Sequence, residues 1–214
     1  MNEILNKISC ELQKGQAKTV KELVTQALAD GISAKDILEQ GLLAGMDVIA
    51  VKFKNNEVYV PEVLIAARAM NGGSAILKPH LAESGAEPIG KAVIGTVKGD
   101  LHDIGKNLVR MMFEGKGIEV IDLGVDVPPQ KFIDAYKEHK PQIVALSALL
   151  TTTMGEMKTV IDAFSAEGIR DDVTIMIGGA PVTENLKLSI GADIYTEDAA
   201  SAAEAAKQAI LQIK

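Results

Sequence analysis

Tryptophan is absent from this chain, and aromatic residues make up 3% of its 214 positions. Stacking platforms for nucleic-acid bases are therefore not expected. An excess of positive charge is missing too. The formal net charge is −7 at pH 7, which argues against binding nucleic acid through its backbone. One cysteine, Cys10, cannot make an internal disulfide framework. No apolar run approaches the roughly 18 residues that a membrane span needs. The first residues, Met1 to Lys7, lack the basic start and apolar centre of a signal peptide. Together these absences predict a cytoplasmic protein that engages neither nucleic acid nor membrane. What is present is 47% hydrophobic residues, enough for a real core.

The first 78 or so residues read as helical. Ile4, Leu5, Ile8 and Leu12 recur at helical spacing, as do Val20, Leu23, Val24, Ala27 and Leu28. Asp30-Gly31 ends the second set, and Ser33 with Asp36 opens a third. Leu42, Met46 and Ile49 belong to that third stripe. Pro61 stands where a fourth begins. Four short helices predict a small antiparallel bundle, with Lys52–Tyr59 as the loop before the last. Pro79 to Gly90 holds two prolines and two glycines and reads as a linker. The expected domains are 1–88, helices with linker, and 89–214.

From Lys91 strands and helices alternate. Expected strands are Ala92–Val97, Ile118–Leu123, Ile143–Leu146, Val173–Ile177 and Asp193–Tyr195. Expected helices span about 104–116, 128–139, 153–167, 182–189 and 198–212. Near-continuous apolar strands imply a parallel sheet covered on both faces. The fold class is thus α/β, a flavodoxin-like, Rossmann-like five-stranded sheet of order 2-1-3-4-5, preceded by a four-helix bundle.

In such sheets ligands bind at the carboxyl ends of the strands. After strand 1 comes Gly99-Asp100-Leu101-His102-Asp103-Ile104-Gly105; after strand 3, Ser147 to Thr153; after strand 4, Gly178-Gly179; after strand 5, Thr196 to Ala199. A phosphate-binding P-loop needs four residues between its glycines and Ser or Thr after the lysine; here five separate Gly99 from Gly105, and Asn107 follows Lys106. A nucleophile elbow, Gly-x-Ser-x-Gly, does not occur. His80 and His139 are poor partners for a zinc site at His102. What remains is one imidazole on a metal already held by another ligand set, with Asp100 orienting the ring. Taken singly these residues have plainer readings. Asp103 equally suits the N-terminus of the next helix. Thr151–Thr153 suits a helix N-cap, Gly178-Gly179 an ordinary turn, and Phe53 a core position.

Asp100-x-His102-x-x-Gly105, then Ser147-x-Leu149, then Gly178-Gly179, each after an expected strand, resembles the three-part pattern of cobalamin-binding domains. The chain is similar over nearly its whole length to the corrinoid proteins of methyltransferase systems and to the cobalamin module of methionine synthase. The resemblance implies a cobalamin cofactor, methylcobalamin in the loaded state, held base-off with His102 as the lower axial ligand of cobalt. It implies that Asp100 and Thr153 form a relay to His102, threonine standing where methionine synthase has serine. It implies that Gly99 and Asp103 flank the histidine, and it counts Ile104 among the cofactor-binding residues. It places Ser147, Thr151, Gly178, Gly179 and Ala199 along the slot for the nucleotide tail. Glu39, Met46, Phe53, Val60 and Val63 match positions on the cap over the upper face; only the resemblance singles out Glu39.

The implied function is a non-catalytic carrier subunit. One substrate:corrinoid methyltransferase would load a methyl group from a methylamine, betaine, methanol or methoxy donor. A second methyltransferase would pass it to tetrahydrofolate or a thiol, and a reductive activation protein would keep the cofactor active. A cobalamin-dependent sensor and the small subunit of an adenosylcobalamin mutase are the alternatives. Sensors carry a DNA-binding segment ahead of the cap, and such subunits usually lack the helical cap.

Overall fold

In the computed structural model residues 3–83 and 88–213 are described. The chain divides into two compact units, the first reaching Pro88 and taking in the Gly115–Gly117 turn, the second holding the remainder.

The first unit is helical. Helix α1 (Glu3–Gln13) buries Leu5, Ile8 and Leu12; α2 (Ala17–Ala29) buries Val20, Val24 and Ala27. These are the residues whose spacing marks one face of a helix. Helix α2 ends where Gly31 turns left-handed, and Ile32 N–H closes back on the Ala27 carbonyl at 3.0 Å. The Ser33 hydroxyl accepts the Asp36 N–H at 3.0 Å, opening the next helix as expected. That helix is a single rod in three parts: α3 (Ala34–Asp36), a π-helical stretch Ile37–Leu43, and α4 (Ala44–Lys54). Ile37 and Ala44, at the joints, both keep right-handed helical angles. Gly45 lets the rod approach α1. A Cβ there would sit 3.0 Å from the Ser9 carbonyl oxygen.

Two boundaries differ from expectation. Lys52, Phe53 and Lys54 are helical, not loop: α4 runs to Lys54, Asn55 caps it, and Asn56 after the cap takes the left-handed conformation (φ +59°). Asn56 N–H then reaches the Phe53 carbonyl, and Glu57 N–H the Lys52 carbonyl. Helix α5 (Val60–Glu83) also runs through Pro79, where a linker is expected, and carries His80 within it. A proline near a helix's end removes only one of its hydrogen bonds, and the buried Leu77 holds the preceding turn in place. Residues 84–87 of the expected linker lie outside the described ones. No described helix is long and apolar enough to cross a membrane.

The second unit alternates strand and helix: β1 (Gly90–Thr96), α6 (Ile104–Glu114), β2 (Ile118–Asp122), α7 (Pro129–His139), β3 (Ile143–Ser147), α8 (Gly155–Ala166), β4 (Thr174–Gly178), α9 (Glu184–Ile190), β5 (Ile194–Tyr195) and α10 (Ala199–Ile213). A short 3-10 turn, Arg170–Asp172, precedes β4. The strands are parallel in the order β2-β1-β3-β4-β5, as the sequence predicts. On one face Phe132 and Tyr136 of α7 and Met157 and Phe164 of α8 pack on Val93, Val144, Leu146 and Ile175. On the other, α6 packs against α10. A buried lysine lies at the start of α6: Lys106 Nζ reaches both oxygens of Asp122, at the end of β2, at 2.6 and 2.7 Å. Burial raises the Asp122 pKa, but the Lys106 hydrogen bond, the Gly124 N–H and the charges of Lys106 and Arg110 outweigh it and hold the carboxyl below its ordinary value.

Candidate functional site

Strand register puts three exit points side by side. Thr96 pairs with Ser147, and Ser147 with Gly178. The ends of β1, β3 and β4 therefore stand level on one rim, at the switch point between β1 and β3.

The β1 exit loop is built around Asp100, whose side chain is fully buried. Its Oδ1 accepts the His102 backbone N–H at 3.0 Å and faces His102 Nδ1 at 2.7 Å. Its Oδ2 accepts the Leu149 and Leu150 N–H groups at 2.8 and 3.2 Å and the Thr153 hydroxyl at 2.9 Å. One carboxylate thus ties the histidine of the first exit loop to the loop after β3. Burial pushes the Asp100 pKa up; the N–H groups of His102 and Leu149, the His102 ring and the Thr153 hydroxyl together overcome it and hold the carboxyl far below the usual carboxylate range. An ionised carboxylate only accepts, so Nδ1 of His102 carries the proton. In the neutral ring, Nε2 is then the nitrogen with the free lone pair. It has no partner among the described residues, and the ring is half exposed.

Other expected residues fall as follows. The Thr153 hydroxyl does not cap α8; it donates to Asp100, with the Leu150 carbonyl also at 2.9 Å. Thr151 and Leu149 are exposed on the same loop, and Ser147 is half-buried at the end of β3. Gly99 is left-handed (φ +81°) in the β1 exit loop. Asp103 precedes α6; its carbonyl accepts the Asn107 N–H at 2.7 Å and its carboxylate the Asn107 side-chain amide at 3.0 Å. Ile104 and Gly105 form the exposed first turn of α6. Gly178 has open space where a Cβ would stand. Gly179 has none: at φ +135° its Cβ would fall 1.9 Å from the Ala148 carbonyl oxygen. Ala199 opens α10 with its methyl buried. In the helical unit Met46 and Val63 are buried, Phe53 and Val60 half-buried, and Glu39, on the π-helical stretch, exposed.

The rim around His102 is apolar. Leu101 and Ile104 are 72% and 74% exposed, and Leu149 and Leu150 also show much of their surface. Four exposed apolar side chains on the two loops that Asp100 joins suit a largely apolar ligand that takes one nitrogen donor. Among the described residues no three metal-ligating side chains meet at a point.

The sequence reading missed one contributor. The loop after β2 reaches this rim as well, and Asp126 on it bonds the His102 loop twice. The signal was available, since the rule about carboxyl ends of parallel strands applies equally to the second strand.

These features define a cofactor-binding α/β domain with a poised imidazole donor. Known proteins narrow the class. Residues 90–206 match the family model of a B12 binding domain, and residues 4–78 match a second model, also described as a B12 binding domain. The chain is 40% identical over 210 residues to the trimethylamine corrinoid protein of Methanosarcina barkeri, covering 97% of each. It is 40% identical over 207 residues to the dimethylamine corrinoid protein of the same organism, covering 96% of this chain and 97% of that one. Among solved structures it resembles the methanol:cobalamin methyltransferase complex MtaBC of Methanosarcina barkeri, with TM-score 0.88 and 31% identity over 98% of this chain and 80% of the other. It also resembles a cobalamin-binding protein of Desulfitobacterium hafniense, with TM-score 0.79 and 34% identity over 96% of this chain and 98% of that one. The chain belongs to the B12-binding family, among the corrinoid proteins of methylamine and methanol methyltransferase systems. It is a cobalamin-binding protein of methyl transfer.

Proposed function

We propose that this protein is a cytoplasmic methyl carrier between two enzymes. A substrate:corrinoid methyltransferase acting on a methylated amine loads it, and a second methyltransferase unloads it to tetrahydrofolate or a thiol. A reductive activation protein maintains it. The amine donor is supported by the similarity to the trimethylamine and dimethylamine corrinoid proteins. Docking to a loading enzyme is supported by the likeness to a chain in the solved methanol:cobalamin methyltransferase complex.

The observation that carries this reading is the 2.7 Å contact from His102 Nδ1 to a buried carboxylate. A ligating histidine takes its tautomer and orientation from the group at its other nitrogen. Here that group is an acceptor, so Nε2 is the donor and His102 is the lower axial ligand. When bound, the corrinoid supplies a cobalt that accepts and gives up a methyl group; the protein's part is to hold, orient and shield. Asp100 and Thr153 keep the Nδ1 proton in place. Gly99, Asp103, Ile104 and Gly105 shape the approach to the ring. Ser147, Leu149, Thr151, Gly178, Gly179 and Ala199 line the slot for the nucleotide tail, and the open space at Gly178 fits that role. Glu39, Met46, Phe53, Val60 and Val63 cover the methyl-bearing face, the domain of residues 1–88 serving as the cap.

The test is the visible spectrum of bound cobalamin in His102→Ala. Its lower-ligand band should move to that of cobalamin without a nitrogen donor. An unchanged spectrum would mean that another group sits beneath the metal.

A further inference from the structure

The loop after β2 does not simply lead to α7. It runs on beside the end of β1: Thr96 N–H donates to the Gly124 carbonyl and Val127 N–H to the Thr96 carbonyl, each at 3.0 Å. Val97 and Val127 pair beyond them. Between these bonds stands Asp126, in the left-handed conformation at φ +52°. Few side chains other than Asn and Asp tolerate that region. The conformation turns two groups of Asp126 toward the histidine loop. Its N–H donates to the Asp100 carbonyl at 3.0 Å, and its Oδ1 accepts the Gly99 N–H at 2.7 Å. The Thr96 hydroxyl fastens the far end of the loop, donating to the His102 carbonyl at 2.9 Å. The loop is held from one side by the Asp100 side chain and from the other by Asp126.

We propose that Asp126 is a positioning residue for His102, its carboxylate and left-handed backbone clamping Gly99 and Asp100 so that the imidazole is presented in one place. The proposal rests on the reading of His102 as the cobalt ligand. Glycine at this position would keep the backbone angle and the N–H but remove the carboxylate. Asparagine would keep both the angle and an acceptor oxygen. The two variants therefore isolate the side-chain half of the clamp.

The full chain is purified as wild type, Asp126→Gly, Asp126→Asn and His102→Ala, each with and without cobalamin. Without cobalamin, hydrogen exchange at the Gly99 amide should speed up about tenfold or more in Asp126→Gly and stay near wild type in Asp126→Asn. With cobalamin, the fraction showing the nitrogen-ligated spectrum should fall in Asp126→Gly, with affinity about tenfold weaker; Asp126→Asn should restore both. Faster exchange with an unchanged spectrum would make Asp126 a structural residue only and overturn the proposal. Unchanged exchange and spectrum in Asp126→Gly would overturn it too, while the His102 reading stood. A wild-type spectrum identical to that of His102→Ala would remove the ligand itself, and the positioning role with it.

Discussion

Replacing Asp100 by asparagine changes one oxygen to an NH₂ group in a site with five donors around it. The amide has two ways to sit. With its oxygen toward His102, the NH₂ faces the N–H groups of Leu149 and Leu150, leaving two partly buried donors without an acceptor. The Thr153 hydroxyl can turn to the Leu150 carbonyl, 2.9 Å away, and loses nothing. With its oxygen toward Leu149, Leu150 and Thr153, only the His102 backbone N–H loses its acceptor. Each buried donor left unpaired costs about 1–3 kcal/mol, so the second orientation wins by one such group. In it the NH₂ donates to Nδ1, the ring proton moves to Nε2, and Nε2 no longer offers a lone pair. Adding the weaker hydrogen bonds of a neutral acceptor, stability should fall by about 2–4 kcal/mol. Urea unfolding of the cobalamin-free protein reads the stability. The ¹⁵N shifts of the His102 ring read the tautomer. If Asp100→Asn keeps the proton on Nδ1, or loses less than about 0.5 kcal/mol, the reasoning about the buried carboxylate is wrong.

Two further outcomes concern Asp100 and the Gly179 turn. The Asp100 pKa is lowered in the folded state, so the unfolded chain takes up the proton first and stability rises with pH across that window. The wild-type margin over Asp100→Asn should be complete above about pH 5 and shrink as pH falls below the ordinary aspartate value of about 3.9; urea midpoints of both proteins at a series of pH values would show it, and a margin that grows on acidification would contradict it. Gly179→Ala should destabilise by about 3 kcal/mol, since it strains a backbone that L residues avoid and drives a methyl into the Ala148 carbonyl; a loss under about 1 kcal/mol by urea unfolding would mean that the two loops separate easily.

Sequence alone determined the elements and their order. Apolar runs of strand length between helical stripes leave little choice but a parallel sheet, and the order 2-1-3-4-5 follows from the connectivity of such sheets. The residues Asp100, His102, Ser147 and Gly178-Gly179 were legible because exit loops of parallel strands share one rim. Local signals could not settle where helices stop. The sequence at Pro79 reads as a break, yet α5 continues, because buried neighbours outweigh a single lost hydrogen bond. Tertiary structure decided everything that depends on distance across the sheet. Only the pairing of β1 with β3 brings Thr153 and the Leu149 and Leu150 N–H groups to a carboxylate some 50 residues earlier. That convergence turns Asp100 from a polar loop residue into a buried anion, and so selects the nitrogen that His102 offers. The Asp126 clamp has the same origin: the rule for strand ends points to its loop, but the bond to Gly99, 27 residues earlier, uses a backbone N–H that every amino acid but proline carries, so the sequence could not show which partner Asp126 takes.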